Sequence, residues 1–349
     1  MKNSVSVIIP TYNRSALIAR AVTSALAASI PGDEIIVIDD GSTDDTATAL
    51  KPYYGKIEYF QTERRGPGAA RNYGIGQATC PLVSFLDSDD EWFPDKLYLQ
   101  RHVMDAFPDL IYCFSDLQAR LPDGETVHNI LNLWQHDQWV GSAYTRSGWN
   151  EILGPGVAFS SIAELGISRM DFNIHIGSLY ANLMEVYYVW TSSIMVRKEL
   201  AGASFKFAED QHICEDWECF ARLAKVGPVA FLNCETAVQH VHRDPRLTDV
   251  GNIEQASARI KLLQRVWGAD ESVLNAHSSR FDRILKEQYF RRAKYLIKAG
   301  RIKEAKEDLM VLDGGPWLYR MLTILPAPLL DGLIRLRSIL LGLRKQKKA

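Results

Sequence analysis

Four short apolar runs alternate with helix-forming stretches over residues 1–90, and three of them stop at clustered polar side chains. Val5-Ser6-Val7-Ile8-Ile9 gives way to Pro10-Thr11-Tyr12-Asn13-Arg14, and Glu34-Ile35-Ile36-Val37-Ile38 to Asp39-Asp40-Gly41-Ser42-Thr43-Asp44-Asp45. Ile57-Glu58-Tyr59-Phe60 is the third run. The fourth, Pro81-Leu82-Val83-Ser84-Phe85-Leu86, closes on Asp87-Ser88-Asp89-Asp90. β-rich runs of this length read as strands. Between them, Ser15 is placed to cap a helix through Ala16-Leu17-Ile18 to about Ala28, and Ser42 or Thr43 to cap a second. Gly66-Pro67-Gly68 leads into a third helix, carrying Arg71 and Asn72. Such alternation with short connections predicts an α/β fold with a mainly parallel sheet and right-handed crossovers. Ligands of these sheets bind beyond the carboxyl ends of the strands, where this chain places its polar clusters.

Three aspartates in four positions repel one another unless a cation or polar partner neutralises them, and a divalent metal is the natural neutraliser. The competing reading is an Asp-rich turn capping a helix that starts near Pro94. The upstream clusters favour the first, because one strand edge would collect an aromatic ring, several acids and Arg71. For Arg71 alone, a solvated helix face is the simpler reading. No Gly-x-Gly-x-x-Gly follows the first strand and no Gly-x-x-x-x-Gly-Lys-Ser/Thr loop occurs, so neither a dinucleotide fingerprint nor a triphosphate loop is present. Phosphate charge then falls to a metal and to Arg71.

A formal charge of -2 provides no global attraction for nucleic acid. Cys80, Cys113, Cys214, Cys219 and Cys234 are scattered, without a Cys-x-x-Cys pair, and read as buried thiols of a reducing cytosol. No signal-like lead opens the chain, and no segment approaches the ~20 apolar residues of a spanning helix. A cytoplasmic protein is expected, soluble or peripheral on the inner face of the membrane.

Taken in order, Val7-Ile8-Ile9-Pro10-Thr11-Tyr12-Asn13-Arg14, Val37-Ile38-Asp39-Asp40-Gly41-Ser42-Thr43-Asp44, Gly66-Pro67-Gly68-Ala69-Ala70-Arg71-Asn72 and Phe85-Leu86-Asp87-Ser88-Asp89-Asp90 resemble the family 2 glycosyltransferases. The resemblance implies a GT-A type, Rossmann-like sheet flanked by helices, with a helical C-terminal extension. It implies that Thr11, Tyr12, Arg14 and Asp40 meet the donor nucleotide, that Arg71 steadies the base or phosphates, and that Asp87 and Ser88 face the ribose or sugar. It also implies that Asp89 binds Mg2+ or Mn2+. Oxygen ligands suit those ions, and a tyrosine ring suits a base.

The resemblance resumes at Trp190-Thr191-Ser192-Ser193-Ile194-Met195-Val196-Arg197, similar to the strand beneath the acceptor, and at Cys214-Glu215-Asp216-Trp217. The latter opens an amphipathic helix with apolar positions at Trp217, Phe220, Ala221 and Ala224. Acids at a helix start are often only favourable dipole partners. By resemblance Asp216 is the catalytic base, ahead of Glu215 and Asp210, with Glu209 nearby. In Gln239-His240-Val241-His242-Arg243, alternation puts both histidines on one face. The resemblance sets His242 near the metal or diphosphate, and a structural histidine is the alternative.

From Asp116 to Met170 the pattern loosens around Trp134, Trp139 and Trp149, which serve as a sugar platform or as core. Past Asn252 the chain reads as helical, with a hairpin over 281–305 turning at Gly300. Leu329, Leu333, Leu336, Leu340 and Leu343 recur at helical spacing among Arg and Lys, so 329–348 either lies on anionic lipid or packs on the protein. The expected organisation is a catalytic domain over 1–250 and an extension over 251–349. The catalytic domain has a nucleotide-sugar half (1–110) and an acceptor half containing the insertion (111–250).

The function expected is inverting, metal-dependent transfer of a sugar from a nucleotide diphosphate donor, UDP by preference, to a hydroxyl of a glycan or lipid-linked acceptor in bacterial surface polysaccharide synthesis. Two rivals stand beside it: a sugar-phosphate nucleotidyltransferase, and a non-catalytic glycan- or nucleotide-binding module.

Overall fold

The computed structural model describes residues 3–132, 148–165, 169–242 and 250–312. The chain divides into two compact units, Met1–Pro245 and Arg246–Ala349. In the first, β1 (Val5–Thr11), β2 (Glu34–Asp39), β3 (Glu58–Gln61) and β4 (Leu82–Phe85) are parallel and ordered β3-β2-β1-β4. Every residue of β1 is buried, as a strand covered on both faces requires. The intervening helices are α1 (Ile18–Ala28), α2 (Thr46–Leu50) and α3 (Pro67–Gln77). α3 packs on β1 so closely that a Cβ on Gly74 would meet Ile8 Cγ2 at 2.5 Å.

The helix caps differ from expectation. α1 starts after Leu17 and α2 after Asp45, neither with a side-chain cap. Ser42, Thr43 and Ser15 instead tie two loops together. The Asn13 N–H donates to Ser42 Oγ at 2.9 Å, the Thr43 N–H to Asn13 Oδ1 at 2.8 Å, and the Ser15 N–H to Asp44 Oδ2 at 3.1 Å. Short polar side chains bond either to their own helix or across a gap, and here the neighbouring loop wins. The turns after β1 and β2 therefore form one rigid edge.

Beyond β4 the sheet is mixed. β5 (Asp90–Trp92), α4 (Lys96–Ala106), β6 (Tyr112–Arg120), β7 (Thr126–Val127), α5 (Trp149–Ile152), β8 (Val157–Ala158) and β9 (Asn173–Gly177) come first. Then follow β10 (Met195–Arg197), α6 (Lys198–Ala201), α7 (Glu215–Val226) and β11 (Val229–His240). β10 lies antiparallel between β4 and β6, so β6 and its parallel neighbour β11 run in the direction of β1 and β4. All their carboxyl ends reach one edge. Two register shifts between Leu232 and Ala237 let the far end of β11 pair with β5, setting Gln239 opposite Asp90. That pairing draws the acidic turn toward His240 at the end of β11 and His242 just beyond it.

The expected strand over Trp190–Arg197 shortens to β10, and Thr191–Ser193 form a 3-10 turn. Trp149 is a core residue, 5% exposed and stacked 3.8 Å from Phe231 between ring centres. Trp134 and Trp139 lie outside the described residues. All five cysteines are free thiols; Cys80, Cys113 and Cys219 are buried.

The second unit contains α8 (Asn252–Val266), α9 (Glu271–Lys298) and α10 (Ile302–Met310). Asp270 caps α9 by accepting from the Ser272 N–H, and Gly300, at φ 74°, makes the hairpin turn the sequence marks. Arg292 grips Asp308 with two bonds of 2.8 and 2.6 Å. Segment 329–348 lies outside the described residues. Among those described, no helix is long and apolar enough to cross a membrane.

One core position opposes the fold. Lys96 is fully buried, its ammonium meeting, among the described residues, the Gln100 side chain and the Trp92 ring, 4.3 Å away. Burial pushes its amine down to about 7. The unfolded chain therefore holds this proton more tightly, and the stability withheld at low pH returns as pH rises from about 7 toward 10.5. Replacing Lys96 with Met is expected to raise the thermal midpoint at pH 7 by about 5 °C. Scans across pH 7–10 check this: the variant's advantage shrinks as the solution becomes alkaline.

Candidate functional site

At the shared strand edge, β1 ends in Thr11 and β2 in Asp39, paired with each other. Asp39 is buried, accepting from the Ser42 N–H at 2.8 Å and the Tyr59 hydroxyl at 2.7 Å, so it builds the edge from within. Asp40 accepts from the Arg65 and Gly66 N–H groups, both at 2.8 Å. Burial pushes its carboxyl up, and those two bonds oppose the shift. Asp40 thereby fixes the loop that leads into α3. The Arg64 guanidinium from this loop covers one face of the Tyr12 ring, 4.1 Å from its centre. Beside them the Thr11 hydroxyl is buried without a hydrogen-bond partner among the described residues.

Arg71 is 5% exposed on α3. Its Nη2 donates to Asp87 Oδ1 and its Nη1 to Glu215 Oε1, both at 2.8 Å, while the guanidinium carbon lies 5.3 Å from the Phe207 ring centre. One cation thus joins the acidic turn after β4 to the acid pair that opens α7. Close packing sets its depth, because a Cβ on Gly68 would meet the Ala208 carbonyl oxygen at 2.5 Å. Burial and the adjacent Asp216 push the Glu215 carboxyl up, against the pull of Arg71.

The three acids of the turn have separate duties. Asp87 belongs to Arg71. Asp90 is 4% exposed and accepts from the Ser192 hydroxyl at 2.6 Å and the Trp190 indole at 3.3 Å. Burial, then the charges of Asp89 and Asp87, push its carboxyl well above the usual range. Asp89 Oδ2 sits 2.9 Å from His242 Nε2 and 4.0 Å from Arg14 Nε, and the Asp89 carbonyl accepts from Arg20 at 2.6 Å. His240 meets Glu91 at 2.9 Å. His240, at the end of β11, thus meets an acid of β5, and His242, just past the strand, meets an acid of the turn. Ser88 is buried between Asp87 and Asp89.

Among the described residues, no group of three or more His, Cys, Asp or Glu side chains is arranged to hold a metal ion. Asp89 and His242 provide one oxygen and one nitrogen. Two such groups cannot cage an ion by themselves, and a hard divalent ion held there would need its remaining oxygen ligands from phosphates and water.

Asp216, at the start of α7, accepts from the Tyr187 hydroxyl at 2.6 Å, the Thr191 hydroxyl at 3.2 Å and the Trp217 N–H at 2.7 Å. Thr191 precedes Ser192, which holds Asp90 and accepts from the Asp87 N–H at 3.1 Å, so one turn touches both acidic motifs. Cys214 enters α7 in the left-handed region, at φ 61°. Glu209 is bonded instead to Arg65 at 2.6 Å and to Asn72 at 3.0 Å. Tyr187, Arg20 and Arg64 carry no motif that singles them out, and Trp190 and Ser192 lie in a motif read only as a strand beneath the acceptor, with no role of their own. The pairing of β10 and the packing of α7 bring Tyr187, Trp190 and Ser192 to the site.

Residues 6–153 match Glycosyl transferase family 2. An uncharacterised glycosyltransferase of Rickettsia conorii is 44% identical over 103 residues, 29% of this chain and 17% of that protein. The succinoglycan biosynthesis protein ExoU of Rhizobium meliloti is 44% identical over 97 residues, 27% of this chain and 28% of its own. The aligned stretches therefore span well under half of these relatives. Crystal structures of S. aureus TarS 1–349 share the fold; the complex with UDP-GlcNAc aligns at a TM-score of 0.56 and 17% identity, over 92% of this chain and 84% of that one.

Removing the central cation tests the arrangement. Arg71→Leu leaves Asp87 and Glu215 unpaired beside Asp216 and is expected to cost about 3–5 kcal/mol of stability. Urea unfolding at pH 7 measures the loss, which should shrink in acid as those carboxyls protonate.

Proposed function

We propose that the protein, whose residues 6–153 match glycosyl transferase family 2, moves a sugar, with inversion, from a nucleotide diphosphate donor to a hydroxyl of a glycan or lipid-linked acceptor. The observation that carries this reading is the bonded path from Asp89 to Asp216 through Asp87, Arg71 and Glu215. It sets a leaving-group site and a proton acceptor on one rigid frame. A UDP donor is supported by TarS crystallised with UDP-GlcNAc and UDP, and a role in polysaccharide synthesis by ExoU.

In this reading the nucleoside lies over the β1–β2 edge. Tyr12 offers an aromatic surface and Thr11 an unpartnered hydroxyl, while Asp40 holds the 62–66 loop. Asp87 and Ser88 face the ribose or sugar, Asp87 braced by Arg71. Asp89 and His242 hold Mg2+ or Mn2+, which, when bound, offsets the negative charge growing on the departing diphosphate. Arg14 adds a positive charge there. Asp216 takes the proton of the acceptor hydroxyl as its oxygen attacks C1. A single base opposite the leaving group gives direct displacement and inversion.

A nucleotidyltransferase expects a Gly-rich loop after β1, and Pro10-Thr11-Tyr12-Asn13-Arg14 is not one. Pyrophosphate release from a nucleoside triphosphate and a sugar phosphate would favour that alternative.

Thermal shift with UDP-GlcNAc, UDP-glucose, GDP-mannose and dTDP-rhamnose, each with and without Mn2+, tests the donor. One of them is expected to raise the midpoint by several degrees, more with Mn2+. Asp89→Ala should abolish both the Mn2+ increment and turnover. Asp216→Asn should keep the donor shift and lose turnover by about 100-fold or more. Wild-type turnover in Asp216→Asn would move the base elsewhere.

A further inference from the structure

The hydrogen bonds on Asp216 are unevenly shared between its two oxygens. Oδ2 accepts from the Tyr187 hydroxyl at 2.6 Å and the Thr191 hydroxyl at 3.2 Å, whereas Oδ1 accepts from the Trp217 N–H alone, at 2.7 Å. A carboxylate oxygen offers two lone-pair sites, so Oδ2 is filled and Oδ1 keeps one open. We propose that Tyr187, assisted by Thr191, is a positioning residue that locks the Asp216 carboxylate so that Oδ1 receives the acceptor proton. This rests on Asp216 being the base.

The geometry of Tyr187 suits that duty. Its hydroxyl bond has the length of a charge-assisted O–H···O− contact, and such bonds orient the group they hold. The Tyr187 ring lies 5.1 Å from the Trp217 ring between centres, tilted by 31°. Trp217 is itself tied by its indole N–H to the Leu183 carbonyl at 2.8 Å. Burial, then the charge of Asp216, push the Tyr187 phenol well above its ordinary range, so it stays a donor. Thr191 approaches from the turn before β10, and the Trp217 N–H from α7 itself. The stretch before β10 and the start of α7 thus hold one carboxylate together, which a helix start alone does not achieve.

In the step this serves, the acceptor O–H proton passes to Asp216 Oδ1 while the acceptor oxygen bonds to C1. The bond between C1 and the diphosphate oxygen breaks, its electron pair leaving on the nucleoside diphosphate. With Tyr187 shortened to Phe, Oδ2 keeps only the longer Thr191 bond, and the carboxylate turns more freely about its Cβ–Cγ axis. The ring packing against Trp217 is retained.

The test uses the full chain with Mn2+, UDP-N-acetylglucosamine as donor and water as acceptor, following UDP release. Tyr187→Phe is expected to lower kcat about 10- to 100-fold with donor KM and the UDP-induced thermal shift unchanged. Thr191→Val should lower kcat less, in keeping with its longer bond. A Tyr187→Phe enzyme with wild-type kcat, or one whose loss appears as a raised donor KM, overturns the proposal. Asp216→Asn is run in parallel: if it too turns over like wild type, the base assignment itself falls, and the two failures are told apart.

Discussion

The buried guanidinium of Arg71 is the interaction on which the acidic edge depends. Asp87, Glu215 and Asp216 come from segments far apart in the chain, and in a poorly solvated site their charges repel. A planar cation donating to two carboxylates from two of its nitrogens offsets that repulsion and sets the spacing between them. A lysine offers a point charge and would fix neither direction. Arg71 reaches this depth because Gly68, one turn earlier on α3, lets the helix approach the Ala208 backbone.

A second constraint comes from the sheet. The reversal at β10 returns β6 and β11 to the direction of β1 and β4, so acids and histidines from distant segments meet at one edge. After its register shifts, β11 keeps β6 on one side and takes β5 on the other over Ala237–Gln239. The Asp89–His242 contact depends on that pairing. Of the turn's three acids, only Asp89 is left facing histidine and arginine, because Asp87 serves Arg71 and Asp90 serves Ser192 and Trp190. Repulsion within the turn is thus relieved by a different set of partners at each acid.

Much of this was legible in the chain itself. The strands β1 to β4, the start of α7 and the turn at Gly300 follow from apolar runs, from a helical period of about 3.6 residues and from a glycine at the turn, whereas β11 ends at His240 and leaves His242 outside the alternation. Helix starts were less legible, since Ser15, Ser42 and Thr43 chose partners in another loop over their own helices. Trp149 carries no local mark of its burial against Phe231. Tyr187 lies in a stretch without periodicity, where a hydroxyl bound to a carboxylate twenty-nine positions away leaves no pattern.

By itself, the sequence determined which residues sit at strand ends, because alternation and chain stops are local properties that burial imposes on neighbours. It marked Thr11, Tyr12, Asp40, Asp87 and Asp89 as polar groups delivered to an edge, and Asp216 as an acid at the start of a helix. Only the tertiary structure decided which of them face one another: Arg71 between Asp87 and Glu215, Asp89 against His242, and Tyr187 on Asp216. Those pairings depend on strand order, the reversal at β10 and the slip in β11, and such long-range choices are made by whole-domain packing.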